Sequence, residues 1–128
     1  MIESTALLEL DALRIWSGSS DARRTITTGT DLTLHPGETV GIVGESGSGK
    51  SLTARAIVRL LPQGVSAGGS VRFRGRDVMD LPDREMRGLR GGVVSLLLQD
   101  PFTMLNPLIR CGEHIAEMLD LPRERERS

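Results

Sequence analysis

Several stretches of the chain alternate apolar and polar residues, which is the pattern of a strand with one buried face. The first runs from Leu7 to Trp16. The residues expected on its apolar face are Leu8, Leu10 and Ala12. A second such strand is expected over 24–34 and a shorter one over 70–74. Between them, the glycine- and serine-rich residues 63–69 predict a loop.

Two other runs are almost continuously apolar, which is typical of buried strands. They cover residues 38–43, opened by the turn at Pro36-Gly37, and residues 93–98. A helix is expected over 52–61, where Pro62 would stop it. A shorter helix is expected over 83–87, because its acids come first and its arginines last, as the helix dipole favours.

A third helix is predicted behind Asn106 and Pro107, which suit an N-cap and a first helical position. The apolar residues that share one face of this helix are Leu108, Cys111, Ile115 and Leu119. Cys111 is the only cysteine of the chain, which excludes an internal disulfide. On this face it is expected to be a core residue. His114 is expected on the surface of the same helix.

One segment between a predicted strand and a predicted helix matches a known binding motif. Gly44-Glu45-Ser46-Gly47-Ser48-Gly49-Lys50-Ser51 matches the phosphate-binding pattern G-x-x-x-x-G-K-[ST]. Lys50 is the only lysine among the 128 residues. The glycines allow backbone N–H groups to turn toward phosphate oxygens, and a helix N-terminus adds positive charge. The flanking strand and helix disfavour the alternative of a glycine-rich surface turn.

The residues of this P-loop have separate expected roles. The Lys50 ammonium would neutralise the β- and γ-phosphates of a nucleoside triphosphate, and the Ser51 hydroxyl would hold Mg²⁺. Glu45 is expected to face solvent and not to act as a catalytic base.

Composition narrows the function further. The formal net charge is −1, so a general electrostatic footprint for nucleic acid is missing. No apolar stretch approaches the roughly 20 residues needed to span a bilayer, and the first residues do not suit a signal peptide. We therefore expect a soluble chain that reaches a membrane only through a partner.

Two segments resemble a known family. The run from His35 to Ser51 resembles the nucleotide-binding subunits of ABC transporters. The run from Leu98 to Pro107, with a Q-loop over 99–107, is similar to the branch that imports dipeptides, oligopeptides and nickel. The resemblance extends from Leu7 to about Leu119, and the two motifs occur in the family's order at about its spacing.

The resemblance implies an α/β P-loop NTPase core of ABC type, with an antiparallel β subdomain at the N-terminus and residues 1–128 as a partial nucleotide-binding domain. ATP phosphates would be wrapped by 44–51, and Mg²⁺ would be held by Ser51 and Gln99. Trp16 would stack on the adenine ring, because an indole offers a flat apolar face. A rim or core tryptophan and a polar strand end remain the alternatives for Trp16 and Gln99.

The family's later motifs were not found. These are an L-S-G-G-Q signature, an apolar strand ending in Asp-Glu (the Walker B element) and a switch histidine, a position that His114 does not suit. No catalytic residue is therefore assigned, and the chain is expected to be an N-terminal portion, truncated before the signature and Walker B elements. Hydrolysis by the chain alone is doubtful for the same reason.

Three functions remain open at this stage. The first is the ATP-binding part of an importer ATPase that powers uptake of peptides or nickel. It would work with a second ABC ATPase subunit and a transmembrane permease, on the inner face of the cell membrane. The second is an ATP-binding module without turnover, either a truncated remnant or a regulator. The third is another P-loop enzyme such as a small kinase, with Arg84, Arg87 and Arg90 as lid residues.

Overall fold

A computed structural model of the chain describes residues 6–100 and 105–119. The elements of this part, in chain order, are β1 (Leu8–Ser17), β2 (Arg24–Leu34), α1 (Lys50–Ile57), β3 (Val65–Phe73), β4 (Arg76–Asp77), α2 (Asp83–Leu89) and α3 (Cys111–Met118). The strands form one sheet in the order β2-β1-β3-β4, and every neighbouring pair is antiparallel. The antiparallel subdomain expected near the N-terminus is confirmed.

One face of this sheet packs against α1 and α2 to form the core. The buried apolar residues are Leu8, Leu10, Leu13, Ile15, Ala56, Val58, Val71, Val78 and Met86. These residues come from β1, β3, α1 and α2, and from the residues that directly follow β4 and α1. The core therefore joins the sheet to the helix that begins in the P-loop.

A β-bulge at Ala12 changes which residues of β1 face the core. Leu10 is buried before the bulge, whereas Leu13 and Ile15 are buried after it. Ala12 has a φ of 47°, and β1 shifts register there against both β2 and β3. The prediction that Ala12 lies on the buried face was wrong, because the extra residue reverses the alternation. Trp16 consequently lies on the opposite side of the sheet from the core.

Strand β3 starts at Val65, so the loop predicted over 63–69 is wrong for its last five residues. The first four of these residues have ladder partners on β1, and Gly68 is paired with Arg14. Gly69 has a φ of 96°, and a Cβ there would lie 2.4 Å from the carbonyl oxygen of Ala12. The glycines thus allow β3 to approach the bulge closely.

Helix α1 ends at Ile57, four residues before the predicted end. The N–H of Leu60 donates to the Arg55 carbonyl (2.8 Å) and that of Arg59 to the Ala56 carbonyl (3.0 Å). With Arg59 at a φ of 53°, this is a Schellman ending, which stops a helix without a proline. The Arg90 guanidinium then donates to two freed carbonyls at the end of the helix, those of Val58 (2.7 Å) and Arg59 (2.8 Å).

The two continuously apolar runs are not strands, contrary to the prediction. In 38–43 the side chain of Val43 is 93% exposed, and in 93–98 that of Leu97 is 90% exposed. Only one isolated bridge, Arg90 to Val94, involves either run within the described ranges. A strand needs a neighbour for its N–H and C=O groups, and no described strand lies beside these runs.

The last helix also differs from its prediction. It begins at Cys111, and the Asn106 side chain instead accepts a bond from the Leu108 N–H (3.0 Å) in a local turn. Cys111 is exposed, so its assignment to the core was wrong. None of the residues of α3 is buried. Helix α2 is confirmed and extends to Leu89. Within 6–100 and 105–119, no helix combines the length and apolar character needed to cross a membrane.

Candidate nucleotide-binding site

The P-loop leads from the run 38–43, which has no regular secondary structure, into the first turn of α1. Gly49 is the N-cap residue, with a φ of 90°, and the helix begins at Lys50. Gly47 also has a positive φ (80°), and the Ser48 N–H donates to the Glu45 carbonyl at 3.1 Å. The first N–H groups of a helix have no acceptor within it, so this end of α1 can donate to an anion.

The Lys50 ammonium is folded back over the loop. Its Nζ donates to the carbonyl oxygens of Gly44 and Glu45, both at 2.7 Å, and lies 3.3 Å from the Ser48 hydroxyl. An ammonium has three donors, and all three are used here within the loop. Lys50 thus holds the loop closed through these bonds, and its positive charge lies within the loop.

Gly49 packs the P-loop closely against β2. It is buried, and a Cβ there would lie 2.6 Å from Thr27 Cγ2 and 3.3 Å from Ile26 Cγ2. On the helix side, the Thr53 hydroxyl donates to the Gly49 carbonyl at 2.9 Å. Any side chain larger than hydrogen would push the loop away from β2, so the close packing requires glycine.

Trp16 lies at an open cavity of about 640 Å³ on the face of the sheet opposite the core. The residues that line the cavity are Ala12, Arg14, Ile15, Trp16, Arg23, Thr25, Thr27, Thr28, Gly68 and Gly69. Thr27 therefore touches the P-loop through its methyl group and also lines the Trp16 cavity. The P-loop and the Trp16 cavity thus share one contact residue of β2.

The indole itself has two close neighbours. The guanidinium carbon of Arg23 lies 4.4 Å from the ring centroid, in a cation–π contact. A Cβ on Gly68 would lie 3.1 and 3.2 Å from two adjacent carbons at the outer edge of the six-membered ring. The ring thus rests on bare main chain of β3 and is covered by an arginine.

The remaining predicted site residues are exposed. Ser51 is in the first turn of α1, directly after Lys50, and Glu45 and Ser46 lie on the outside of the loop. Gln99 is exposed at the end of the unpaired run 93–98, and no hydrogen bond joins it to the P-loop within the described part of the chain. In that part, no group of three His, Cys, Asp or Glu side chains is arranged to hold a metal ion.

Sequence reasoning missed Arg23, Thr27 and the bulge. The bulge has a sequence signal, because the apolar residues of β1 change from even positions (Leu8, Leu10) to odd ones (Leu13, Ile15). Arg23 and Thr27 have no comparable signal. Arg23 lies on the β1–β2 connection and Thr27 on β2, and the pairing register of β1 with β2 decides that they stand beside Trp16 and Gly49.

A family model described as ABC transporter matches residues 27–127. This chain belongs to the ABC transporter family. Among its relatives, the oligopeptide transport ATP-binding protein OppD of Salmonella typhimurium is 46% identical over 118 residues, which is 92% of this chain and 35% of OppD. OppD of Escherichia coli is 44% identical over 119 residues, again 35% of its length.

The dipeptide transport ATP-binding protein DppD of Bacillus subtilis is 44% identical over 93 residues, which is 71% of this chain and 28% of DppD. The chain thus spans about a third of the length of these ABC relatives. The ABC-type fold implied by the two motifs is confirmed.

Proposed function

We propose that this chain is the ATP-binding N-terminal part of an ABC importer ATPase that powers uptake of peptides through a membrane permease. The observation that carries the proposal is the shared position of Thr27, which joins a lysine-centred phosphate loop to a cavity containing the chain's only indole. The names of the relatives, which specify oligopeptide and dipeptide transport, favour peptides over nickel as the cargo.

The two ends of the site suit the two ends of a nucleotide. Residues 44–51 would hold the triphosphate, with main-chain N–H groups and Lys50 as donors. Trp16 would stack on the adenine ring, because its indole lies in an open cavity next to that loop. Lys50 must exchange at least one of its carbonyl partners for a phosphate oxygen when the nucleotide binds.

Ser51 fits the role of a Mg²⁺ ligand, because its hydroxyl is exposed in the first helical turn beside Lys50. Bound Mg²⁺ would neutralise charge between the β- and γ-phosphates. We propose Gln99 as the second ligand, on the strength of its motif. Gln99→Ala is expected to weaken ATP binding in the presence of Mg²⁺ but not in its absence. Equal affinity in both conditions would remove Gln99 from the metal site.

The proposed partners are a second ABC ATPase subunit and the transmembrane permease, which would keep the chain peripheral on the inner face of the membrane. Helix α3 supports a docking role, because it follows Gln99 and buries none of its residues. Its exposed apolar side chains include Ile115 (59%) and Met118 (86%).

Binding without turnover is the second candidate for the chain by itself. The feature that favours it is the lack of an Asp-Glu or Glu-Glu pair anywhere in the 128 residues. A residue that orients or deprotonates the attacking nucleophile is a recurring part of phosphoryl-transfer sites, and the resemblance assigns this role to the Glu of that pair. We therefore expect Mg·ATP binding with no release of phosphate above background.

Trp16 is the only tryptophan and the chain has no tyrosine, so its fluorescence gives a direct measure of nucleotide binding. Mg·ATP is expected to quench this emission in the wild-type chain. Lys50→Ala should weaken binding at least about tenfold, because charge-assisted hydrogen bonds to phosphate are lost. Arg84→Ala, which removes an exposed cation from α2, is the matched control and should bind normally.

Unchanged affinity of Lys50→Ala for Mg·ATP would exclude the P-loop as the binding site. Phosphate release measured on the same samples decides between the two candidates. Release that disappears in Lys50→Ala would establish turnover, whereas tight binding without release would support the ATP-binding module.

A further inference from the structure

Arg23 covers the indole that the proposed nucleotide would use. Its guanidinium carbon is 4.4 Å from the Trp16 ring centroid, which is stacking distance and leaves no space for a base between them. Arg23 is exposed, and no carboxylate within the described residues forms an ion pair with it. Its only specific contact in that part is therefore with the indole.

The main chain near Arg23 is held more firmly than its side chain. Gly18 adopts a φ of 90° and donates to the Gly64 carbonyl at 3.0 Å, and the Ala22 N–H donates to the Ser19 carbonyl at 3.0 Å. These bonds fix the β1–β2 connection against the start of β3. A long arginine side chain on a fixed connection can lift from the ring by rotation about its own bonds.

The indole cannot move away in the opposite direction so easily. The outer edge of its six-membered ring rests on Gly68 of β3, where even a Cβ would come within 3.1 Å. A flat ligand that stacks on Trp16 next to Arg23 must therefore separate the guanidinium from the indole.

We propose that Arg23 is a base-binding residue, and that the purine of the nucleotide enters between the guanidinium and the indole. This inference rests on the proposed stacking of the base on Trp16. A guanidinium is planar, weakly hydrated and permanently charged, so it stacks on a base as well as on an aromatic ring. One cation–π contact is exchanged for two stacked contacts, and the base is bound on both faces.

An Arg23 that only covered the indole would have the opposite effect on nucleotide affinity. If Arg23 only occupied the indole face, the base would have to displace it, and removing Arg23 would strengthen nucleotide binding. A third possibility is that Arg23 acts through its charge on the phosphates. The probes that separate these three roles are Mg·ATP, which carries a base, and inorganic tripolyphosphate, which does not.

The test is calorimetric titration of the 128-residue chain with each probe. Arg23→Ala is expected to weaken Mg·ATP binding about three- to tenfold and to leave tripolyphosphate binding unchanged. Arg24→Ala is the matched control, because it removes the same charge one residue along, outside the cavity. It should change neither affinity by more than about twofold. Arg23→Lys keeps the charge but not the plane, and should bind Mg·ATP nearly as weakly as Arg23→Ala.

Three results would overturn the inference. They are wild-type or tighter Mg·ATP binding by Arg23→Ala, an equal loss of tripolyphosphate binding, and full recovery in Arg23→Lys. Failure of the proposed ATP binding itself is distinguishable, because wild-type chain would then bind Mg·ATP no better than Lys50→Ala. Arg23 is exposed on a connection, so far-ultraviolet circular dichroism of the variants should match that of the wild type.

Discussion

The described part of the molecule contains two regions that differ in how their apolar residues are covered. In the first, the four-stranded sheet packs on α1 and α2, and Leu13 and Ile15 are completely buried. In the second, which comprises the runs 38–43 and 93–98 and helix α3, apolar side chains such as Val43 and Leu97 are almost fully exposed. Both regions contain many apolar residues, but the second leaves most of its own exposed, and only a few, such as Val94 and Leu96, pack partly against the core.

The difference follows from where each strand finds a neighbour. β1 pairs with β2 through a short connection and with β3 farther along, so every ladder partner is within the described chain. The apolar runs are of the kind typical of strands buried on both faces, which need neighbours on two edges and layers on two sides. The described residues supply no strand beside either run, and in the second run Val94 and Leu96 pack only partly against the core. Apolar content therefore predicts burial only where the partners are also present.

The largest expected contrast is between one leucine of each region. Leu13→Ala removes a fully buried side chain from the core and is expected to lower the free energy of unfolding by about 2–5 kcal/mol. Leu97→Ala makes the same chemical change at a side chain that is 90% exposed, and should lower it by less than about 0.5 kcal/mol. Urea unfolding followed by Trp16 fluorescence measures both.

A large destabilisation by Leu97→Ala would contradict this comparison. It would mean that the Leu97 side chain is packed in solution, by another part of the chain or by a second copy. Repeating the measurement at several protein concentrations separates these cases, because only association depends on concentration.

How far the sequence predicted the fold depends on the same distinction. Alternation predicted β1 and β2 closely, since one buried face is enough to define such a strand. The continuous apolar runs 38–43 and 93–98 did not form strands, because apolar content does not indicate whether a neighbour exists. Helix α3 is present, but the residues of its predicted apolar face, Cys111 among them, are exposed.

In the candidate site, the local motif was easier to predict than the residues around it. The P-loop could be located from sequence alone, because its motif lies in eight consecutive residues, and α1 begins at its lysine. The surroundings of Trp16 could not, because the Ala12 bulge, Arg23 and Gly68 come from three different segments. They meet only through the pairing register of β1 with β2 and β3, which no single local pattern determines.

The bulge provides a second test of the packed region, with a smaller expected effect. The N–H of Ala12 donates to the Asp31 carboxylate at 2.7 Å, which satisfies the donor that the bulge leaves out of the ladder. Asp31→Ala should lower the free energy of unfolding by about 1 kcal/mol, because this bond is exposed to solvent. It should also shift the Trp16 emission, since the bulge determines the side of the sheet on which Trp16 lies.

Asp21→Ala is the control for the Asp31 variant, because it removes an exposed aspartate from the β1–β2 connection. If both variants behaved alike, the carboxylate of Asp31 would contribute only charge. A stability loss without a change in Trp16 emission would show that the bulge persists without its side-chain acceptor.

The smallest expected effect lies at the turn that joins the packed region to the unpaired run 38–43. The His35 N–H donates to Glu38 Oε2 at 2.6 Å, and His35 Nδ1 lies 3.1 Å from the same oxygen. These bonds, the main-chain one first, lower the pKa of Glu38 below its ordinary value of 4.5. Since the folded state has the lower pKa, the ionised carboxylate stabilises the turn above pH 4.5, and this is lost as the pH falls through the folded-state pKa.

Glu38→Gln should therefore reduce the loss of stability on acidification below about pH 4.5, while Asp80→Asn, at another exposed acid, should not. Carbon-13 NMR titration of the Glu38 carboxyl gives its pKa directly. The side chain is half-exposed, so solvent screens the interaction and the change in stability should be small. An unshifted titration would mean that the turn does not persist in solution and that the two regions are joined only by a flexible chain at this point.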